Sequence, residues 1–204
     1  MARVARLSLI PVVVALAACG GGSKPHAGTT SKQCPVTGRQ VTFPLLSKKA
    51  PHTVDVQTNV GRYAVRLDVA DSQCVTSSFA SLVRKGFFDG TIFHRIVPGF
   101  VIQGGDPTGT GQGGPGYTVQ DVPPQDARYT KGVVAMAKTP AEPRGAAGSQ
   151  FFVVTAPDAQ LPPDYAILGK VTKGLNVVDK IGRLGNRATE RPTRRVVVLH
   201  MKLE

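Results

Sequence analysis

The chain has 204 residues and a formal net charge of +12 at pH 7, with 41% hydrophobic residues, 23 glycines, 16 prolines and no tryptophan. That length fits one domain plus appendages. The recurring apolar runs exclude wholesale disorder, while so much glycine and proline favours turns and short strands over long helices. The positive balance admits anionic partners, lipid headgroups or nucleic acid, but scattered charge is the ordinary state of a solvated surface and only clustering is informative.

Residues 1–18 read as an export signal. Arg3 and Arg6 form a charged start, and residues 7–18 are apolar apart from Ser8. The run is shorter than the ~20 residues a bilayer span needs and suits the apolar region of a signal peptide. Leu16-Ala17-Ala18-Cys19 resembles the bacterial lipobox. That resemblance implies removal of residues 1–18 and acylation of Cys19, anchoring the exported chain to the outer face of the cell membrane. Without Arg3 and Arg6 the chain keeps a charge of +10. Gly20-Gly21-Gly22-Ser23 then suits a tether. The whole segment 19–51, rich in Gly, Ser, Thr, Lys and Pro, reads as a flexible linker in which Val41, Phe43, Leu45 and Leu46 can pack locally. The folded domain is expected over 52–204. With Cys19 acylated, Cys34 and Cys74 remain as an even pair. Outside the cytoplasm they can form a disulfide or stay as two free thiols, and sequence alone gives no distance to decide.

From His52 onward the pattern is mostly short strands. Val54 and Val56 alternate with polar residues, Thr58-Asn59-Val60-Gly61 reads as a turn, and Tyr63, Val65, Leu67 and Val69 alternate again, so the two runs form a hairpin. A helix follows, capped by Thr76, Ser77 or Ser78, with Phe79, Leu82 and Val83 on one face and Gly86 as its stop. Further strands are expected near 92–97, 99–103, 133–137, 150–155, 166–172 and 195–202. A second short helix fits 175–181, with Val177 and Val178 inward and Gly182 as the stop. Many strands and two helices suggest a mainly β protein, a closed antiparallel barrel with helices plugging its ends.

Several motifs carry no chemistry. Gly109-Thr110-Gly111-Gln112-Gly113-Gly114 matches G-x-G-x-x-G, but Asp106-Pro107 precedes it and Pro115-Gly116 follows, so no helix can open there as a dinucleotide site requires. His26, His52, His94 and His200 lack metal-ligand spacing, and no metal or cofactor is expected. Asp106 and Asp121, near the glycine run, read as turn-capping residues. Lys180, Arg183, Arg187, Arg191, Arg194 and Arg195 are a genuine basic cluster without the interleaved aromatics that base stacking needs. A solvated face accounts for it, and contact with anionic lipid is the better functional alternative; no nucleic-acid partner is expected.

Two segments stand out: Phe93-His94-Arg95-Ile96-Val97-Pro98-Gly99-Phe100-Val101-Ile102-Gln103-Gly104-Gly105-Asp106 and Gly148-Ser149-Gln150-Phe151-Phe152-Val153-Val154. Both resemble cyclophilin signatures, and Phe87-Phe88-Asp89-Gly90-Thr91 and Leu168-Gly169-Lys170-Val171 look like the family in the right order. The resemblance covers roughly 53–203. It implies a closed eight-stranded antiparallel β-barrel capped by two α-helices, and a groove for proline-containing polypeptides. It also implies peptidyl-prolyl cis/trans isomerase activity, carried by a monomer without cofactor. By the same resemblance Arg95 is the catalytic guanidinium, acting with Phe100 and Gln103. Phe100, Val101, Phe152 and Leu161 line the proline pocket, and Gln103 and Gln150 contact the peptide. The backbone of Ala137 and Lys138 pairs with the residue before proline, Gly111 borders a neighbouring pocket, and Tyr165 closes the groove. His94 is assigned to structure, since strand alternation points it away from Arg95. Gln160 stands where many members carry tryptophan, which counts against tight cyclosporin binding but not against isomerisation. Tyr165 and Lys138 replace a frequent histidine and asparagine. The expected function is folding assistance to exported proteins, with a proline-binding chaperone or adaptor of little turnover as the alternative.

Overall fold

The computed structural model describes residues 34–204. The expected signal segment 1–18, the expected lipid acceptor Cys19 and tether, His26 and the expected linker as far as Gln33 lie outside the described residues. In chain order the elements are β1 (Thr37–Gly38), β2 (Thr53–Thr58), β3 (Gly61–Leu67), α1 (Gln73–Arg84), β4 (Arg95–Val97), β5 (Val101–Gly104), β6 (Tyr117–Gln120), β7 (Val133–Met136), β8 (Ala146–Ala147), β9 (Phe151–Val154), β10 (Ile167–Lys173), α2 (Leu175–Gly182) and β11 (Val198–Leu203). Eight strands form one antiparallel sheet in the order β11-β2-β3-β10-β7-β9-β5-β4, and β1, β6 and β8 form a small second sheet. Among the described residues no helix is long and apolar enough to cross a membrane.

The expected hairpin is β2–β3, registered from Thr53 opposite Arg66 to Thr58 opposite Gly61. Thr58 shapes its turn: the hydroxyl accepts from the Val60 and Gly61 amides, at 3.1 Å each. Alternation puts Val54 and Val56 of β2 and Tyr63, Val65 and Leu67 of β3 in the core.

The main sheet curls without closing, which corrects the expected closed barrel. Its edge strands β4 and β11 form no ladder. They are held near each other by an isolated Ile92–Val197 bridge and by backbone bonds such as Phe93 N–H to Val196 O, 3.0 Å, and Val198 N–H to Thr91 O, 2.9 Å. The free edge of β4 faces the loop before β11 instead: the Ile96 amide donates to Glu190 O at 2.7 Å.

Helix α1 lies against β6 and β11 and buries Phe79, Leu82 and Val83 as expected. It starts at Gln73, however, and Thr76, Ser77 and Ser78 lie inside it rather than capping it. A tertiary contact makes the earlier start possible, since the Asp121 carboxylate accepts from the Val75 amide at 2.7 Å. The three hydroxyls are spent elsewhere: Thr76 on Ser72 O (2.7 Å), Ser77 on the Leu46 amide (2.9 Å) and Ser78 on the Tyr117 hydroxyl (3.0 Å). Helix α2 buries Val178 and Ile181, with Val177 only partly covered.

The linker boundary also moves. Residues 34–51, expected to be flexible, belong to the same compact unit as the rest of the described chain. Cys34 is joined to Cys74 by a disulfide, β1 pairs with β6 through Thr37–Thr118 and Gly38–Tyr117, and Leu46 is 3% exposed. Val41, Phe43 and Leu46, three of the four positions singled out as able to pack, reach the core, as does Val36.

The sheet has two apolar faces. Ile96, Ile102, Val134, Met136, Phe151 and Val153 point into the main core, where Phe151 meets Phe79, Phe88 and Phe93 edge-on with ring centroids 5.7–6.1 Å apart. Their alternate neighbours Val101, Val133, Ala135, Phe152 and Val154 form a second cluster with Tyr129 on the opposite face. That face carries the candidate site.

Candidate active site

Strand pairing places the site residues. Arg95 lies opposite Gln103, and Gln103 opposite Phe152; Phe152 in turn lies opposite Ala135. With side chains alternating between faces, Arg95, Gln103 and Phe152 emerge on one side of three adjacent strands. Phe100 precedes β5, Ala137 and Lys138 follow β7, and Leu161 and Tyr165 come from the segment before β10. Together Arg95, Phe100, Val101, Gln103, Ala137, Lys138, Phe152, Leu161 and Tyr165 surround one pocket of about 240 Å³. Gly111 and Gln150 line a larger neighbouring cleft of about 690 Å³, which shares Gln103, Ala137 and Lys138 with the first. All eleven residues singled out for the groove therefore converge, though they span 70 positions of sequence.

The floor is apolar and rigid. Phe152 is 4% exposed, and the Tyr165 ring stands edge-on to it at 5.4 Å and 87°. The Tyr129 hydroxyl fixes the main chain beneath, donating to Tyr165 O at 2.7 Å while accepting from the Tyr165 amide at 3.0 Å. The Lys138 ammonium lies 5.7 Å from the Tyr165 ring centroid, a distance suited to cation–π attraction. The Ala137 amide already donates to Gln150 O at 2.9 Å, so the Ala137 carbonyl is the group left for a peptide.

The polar wall is a connected chain. An Arg95 terminal nitrogen faces Gln103 Oε1 at 3.5 Å, a weak contact, and Gln103 Nε2 donates to Gln150 Oε1 at 3.1 Å. Gln150 Nε2 then donates to Gly111 O and Gly113 O, at 3.0 and 2.9 Å. The glycine run is held from below by Asp106, which is fully buried. Its carboxylate accepts from the Thr108, Gly111 and Gly113 amides at 2.7, 2.6 and 3.1 Å and from the Thr108 hydroxyl at 2.8 Å. Burial works to raise the Asp106 pKa, but these hydrogen bonds outweigh it and hold it at about 2. Gly113 has to be glycine, because a Cβ there would run into Asp106 Oδ1. The 109–114 run is thus an irregular loop around a buried carboxylate.

His94 borders neither pocket; its ring lies behind Gly111, with Nδ1 buried without a hydrogen-bond partner. Burial lowers its pKa, Asp106 opposes that and Arg95 adds to it, the net direction being down. Gln160, with φ +52, is exposed beside Leu161.

Two contributors were missed in the sequence. Glu190 pairs with Arg95, Oε2 to Nε at 2.7 Å; its one visible signal is being the sole carboxylate within the basic run 180–195. Thr37 and Gly38, from the presumed linker, line the larger cleft, and no local pattern marks them.

The profile of the family described as "Cyclophilin type peptidyl-prolyl cis-trans isomerase/CLD" matches residues 53–203. A peptidyl-prolyl cis-trans isomerase of Arabidopsis thaliana is 34% identical over 158 residues, covering 76% of this chain and 94% of that protein. The peptidyl-prolyl cis-trans isomerase-like 1 of Homo sapiens is 36% identical over 153 residues, covering 73% and 90%. A crystal structure of a Cryptosporidium parvum cyclophilin-type peptidyl-prolyl cis-trans isomerase superposes with a TM-score of 0.67 at 27% identity, covering 76% of this chain and 98% of that one. The same protein in the presence of the dipeptide Ala-Pro gives a TM-score of 0.65 over 74% and 98% of the chains.

Proposed function

The chain belongs to the cyclophilin-type peptidyl-prolyl cis-trans isomerases, and from that premise we propose that it turns X-Pro bonds in exported proteins at the outer face of the membrane. The observation that carries the proposal is the meeting of Arg95, Gln103, Phe100, Phe152 and Tyr165 around one pocket.

The chemistry needs little else. Amide resonance sets a barrier of about 18–20 kcal/mol, and an X-Pro bond unaided turns over in tens to hundreds of seconds. Phe100, Val101, Phe152 and Leu161 grip the pyrrolidine ring, so that the carbonyl before it rotates against a fixed ring. Arg95 directs a permanently charged donor at the prolyl nitrogen, which stabilises the pyramidal form that has lost conjugation. Gln103 steadies the moving carbonyl. Ala137 and Lys138 hold the preceding residue through the main chain, Gln150 and Gly111 border the cleft for residues further upstream, and Tyr165 closes the proline end. A thousandfold acceleration requires roughly 4 kcal/mol, and one donor placed in a low-dielectric site supplies roughly 3–4 kcal/mol.

The extracellular setting is supported by the export-type N-terminus with its lipobox-like Cys19 and by the Cys34–Cys74 disulfide, which persists in oxidising compartments. We read the protein as a monomer tethered by lipid at Cys19. Lys180, Arg183, Arg187, Arg191, Arg194 and Arg195 are all exposed, a face suited to anionic headgroups.

The test is isomerisation of an Ala-Pro tetrapeptide by the detergent-solubilised full chain beside Arg95→Ala. The variant is expected to fold and to lose about 10²- to 10³-fold in kcat/KM. A folded wild type that binds the peptide without turning it over would make the groove a binding site of the chaperone or adaptor kind.

A further inference from the structure

Arg95 sits on a three-residue strand at the open edge of the sheet, paired on one side only. Its side chain is 35% exposed. A guanidinium in that position has about 2 kcal/mol of rotamer entropy to lose and water on one flank. Something must hold it over the pocket.

The loop between α2 and β11 fills that flank. Residues Gly185 and Pro192 bridge its base, the Asn186 amide donates to Arg191 O at 2.8 Å, and the Glu190 amide to Asn186 O at 2.8 Å. The Asn186 side chain accepts from the Ala188 and Thr189 amides at 2.8 and 3.1 Å. Glu190 takes the left-handed conformation, φ +56, uncommon for a side chain of this kind. Its carbonyl receives the Ile96 amide at 2.7 Å. Gly185 approaches so closely that a Cβ there would strike Ile96 O. The loop is thus stapled to itself and docked on β4 one residue from Arg95, and it delivers the Glu190 carboxylate to Arg95 Nε at 2.7 Å.

The geometry points to Glu190 as a positioning residue for isomerisation: it clamps the Nε of Arg95 and turns the terminal nitrogens toward the pocket. The fork of the guanidinium explains why one contact is enough. Its five donors lie in a plane, so fixing Nε leaves the terminal N–H groups aimed at the substrate. Their other neighbour, Gln103 Oε1, is 3.5 Å away, too far to hold the group alone. Glu190 itself does not border the pocket. This inference rests on Arg95 being the catalytic guanidinium, and Arg95→Ala in the same assay separates failure of that premise from failure of this one.

Two amide variants form the test. Glu190→Gln keeps the reach and an accepting oxygen for Nε. Glu190→Asn suits the left-handed backbone equally well or better but is one methylene too short. Peptide exchange measured by NMR on the full chain separates turnover from binding. Glu190→Asn is expected to lower kcat about tenfold with KM little changed, and Glu190→Gln to recover most of that loss. The Arg95 Nε–H resonance, assigned by its disappearance in Arg95→Lys, should be protected from exchange in wild type and Glu190→Gln and lost in Glu190→Asn. The inference is overturned if a folded Glu190→Asn keeps wild-type kcat, if its loss lies in KM alone, or if Nε–H protection is the same in both variants.

Discussion

Asp106 shows how one buried side chain reaches the groove. Its carboxylate holds the Gly111–Gly113 turn, whose carbonyls hold Gln150, which holds Gln103. The group is fully buried, and its pKa is lowered from 3.8 to about 2, worth roughly 2 kcal/mol. The folded pKa lies below the unfolded one, so this stabilisation is complete above about pH 4 and is lost as pH falls through about 2. Asp106→Asn presents an N–H₂ where amide donors point, and is expected to cost roughly 2 kcal/mol at pH 7. Urea unfolding at pH 7 and pH 2.5 checks this: the gap between wild type and variant should narrow in acid. A gap unchanged with pH would show that the charge of Asp106 contributes nothing. The same variant should lose severalfold in kcat/KM, because Gln150 no longer rests on a fixed turn.

Among the elements, the N-terminal arm behaves least as composition suggests. Its 34–46 stretch is held by the Cys34–Cys74 disulfide, by two residues of β1, by Arg39 donating to Pro115 O at 2.9 Å, and by Leu46. Closing a separation of 40 residues restricts the unfolded chain by roughly 4 kcal/mol in the chain-entropy treatment, and native disulfides deliver about 2–5 kcal/mol. Cys34→Ser with Cys74→Ser is therefore expected to lower unfolding stability by about 2–4 kcal/mol, measured by the urea midpoint, with wild-type protein in reductant behaving the same way. Equal midpoints would mean that β1 and Leu46 hold the arm unaided.

The molecule as a whole combines a peptide groove on one face of the sheet with a strongly basic loop that also supplies Glu190. A chain of +10 beyond the proposed signal segment is attracted to anionic surfaces over about a Debye length, ~8 Å at physiological salt. With Cys19→Ser removing the proposed lipid acceptor, the protein is expected to sediment with vesicles containing about 30% anionic lipid at low salt and to release as salt rises. Replacing Arg183, Arg187, Arg194 and Arg195 by Gln should abolish this, and binding that ignores salt would point to an apolar contact instead.

Much was legible in the sequence because it depends on near neighbours. Period-2 alternation marks β2 and β3, the 3.6-residue period marks α1, and the Phe93–Asp106 and Gly148–Val154 runs carry six of the eleven groove residues named by the family resemblance, which strand register then assembles. What depends on partners far along the chain was decided by the tertiary structure alone. Asp121 supports a start of α1 at Gln73, with the N-cap Ser72 at least four residues ahead of the expected caps, from 46 positions away. Cys34 meets Cys74, turning half of an expected linker into wall and staple. Glu190 reaches Arg95 across 95 positions and takes the amide of Ile96 at the free edge of β4. Each of these is a polar or covalent contact whose strength lies in geometry rather than periodicity, and geometry between distant residues leaves no trace in local sequence.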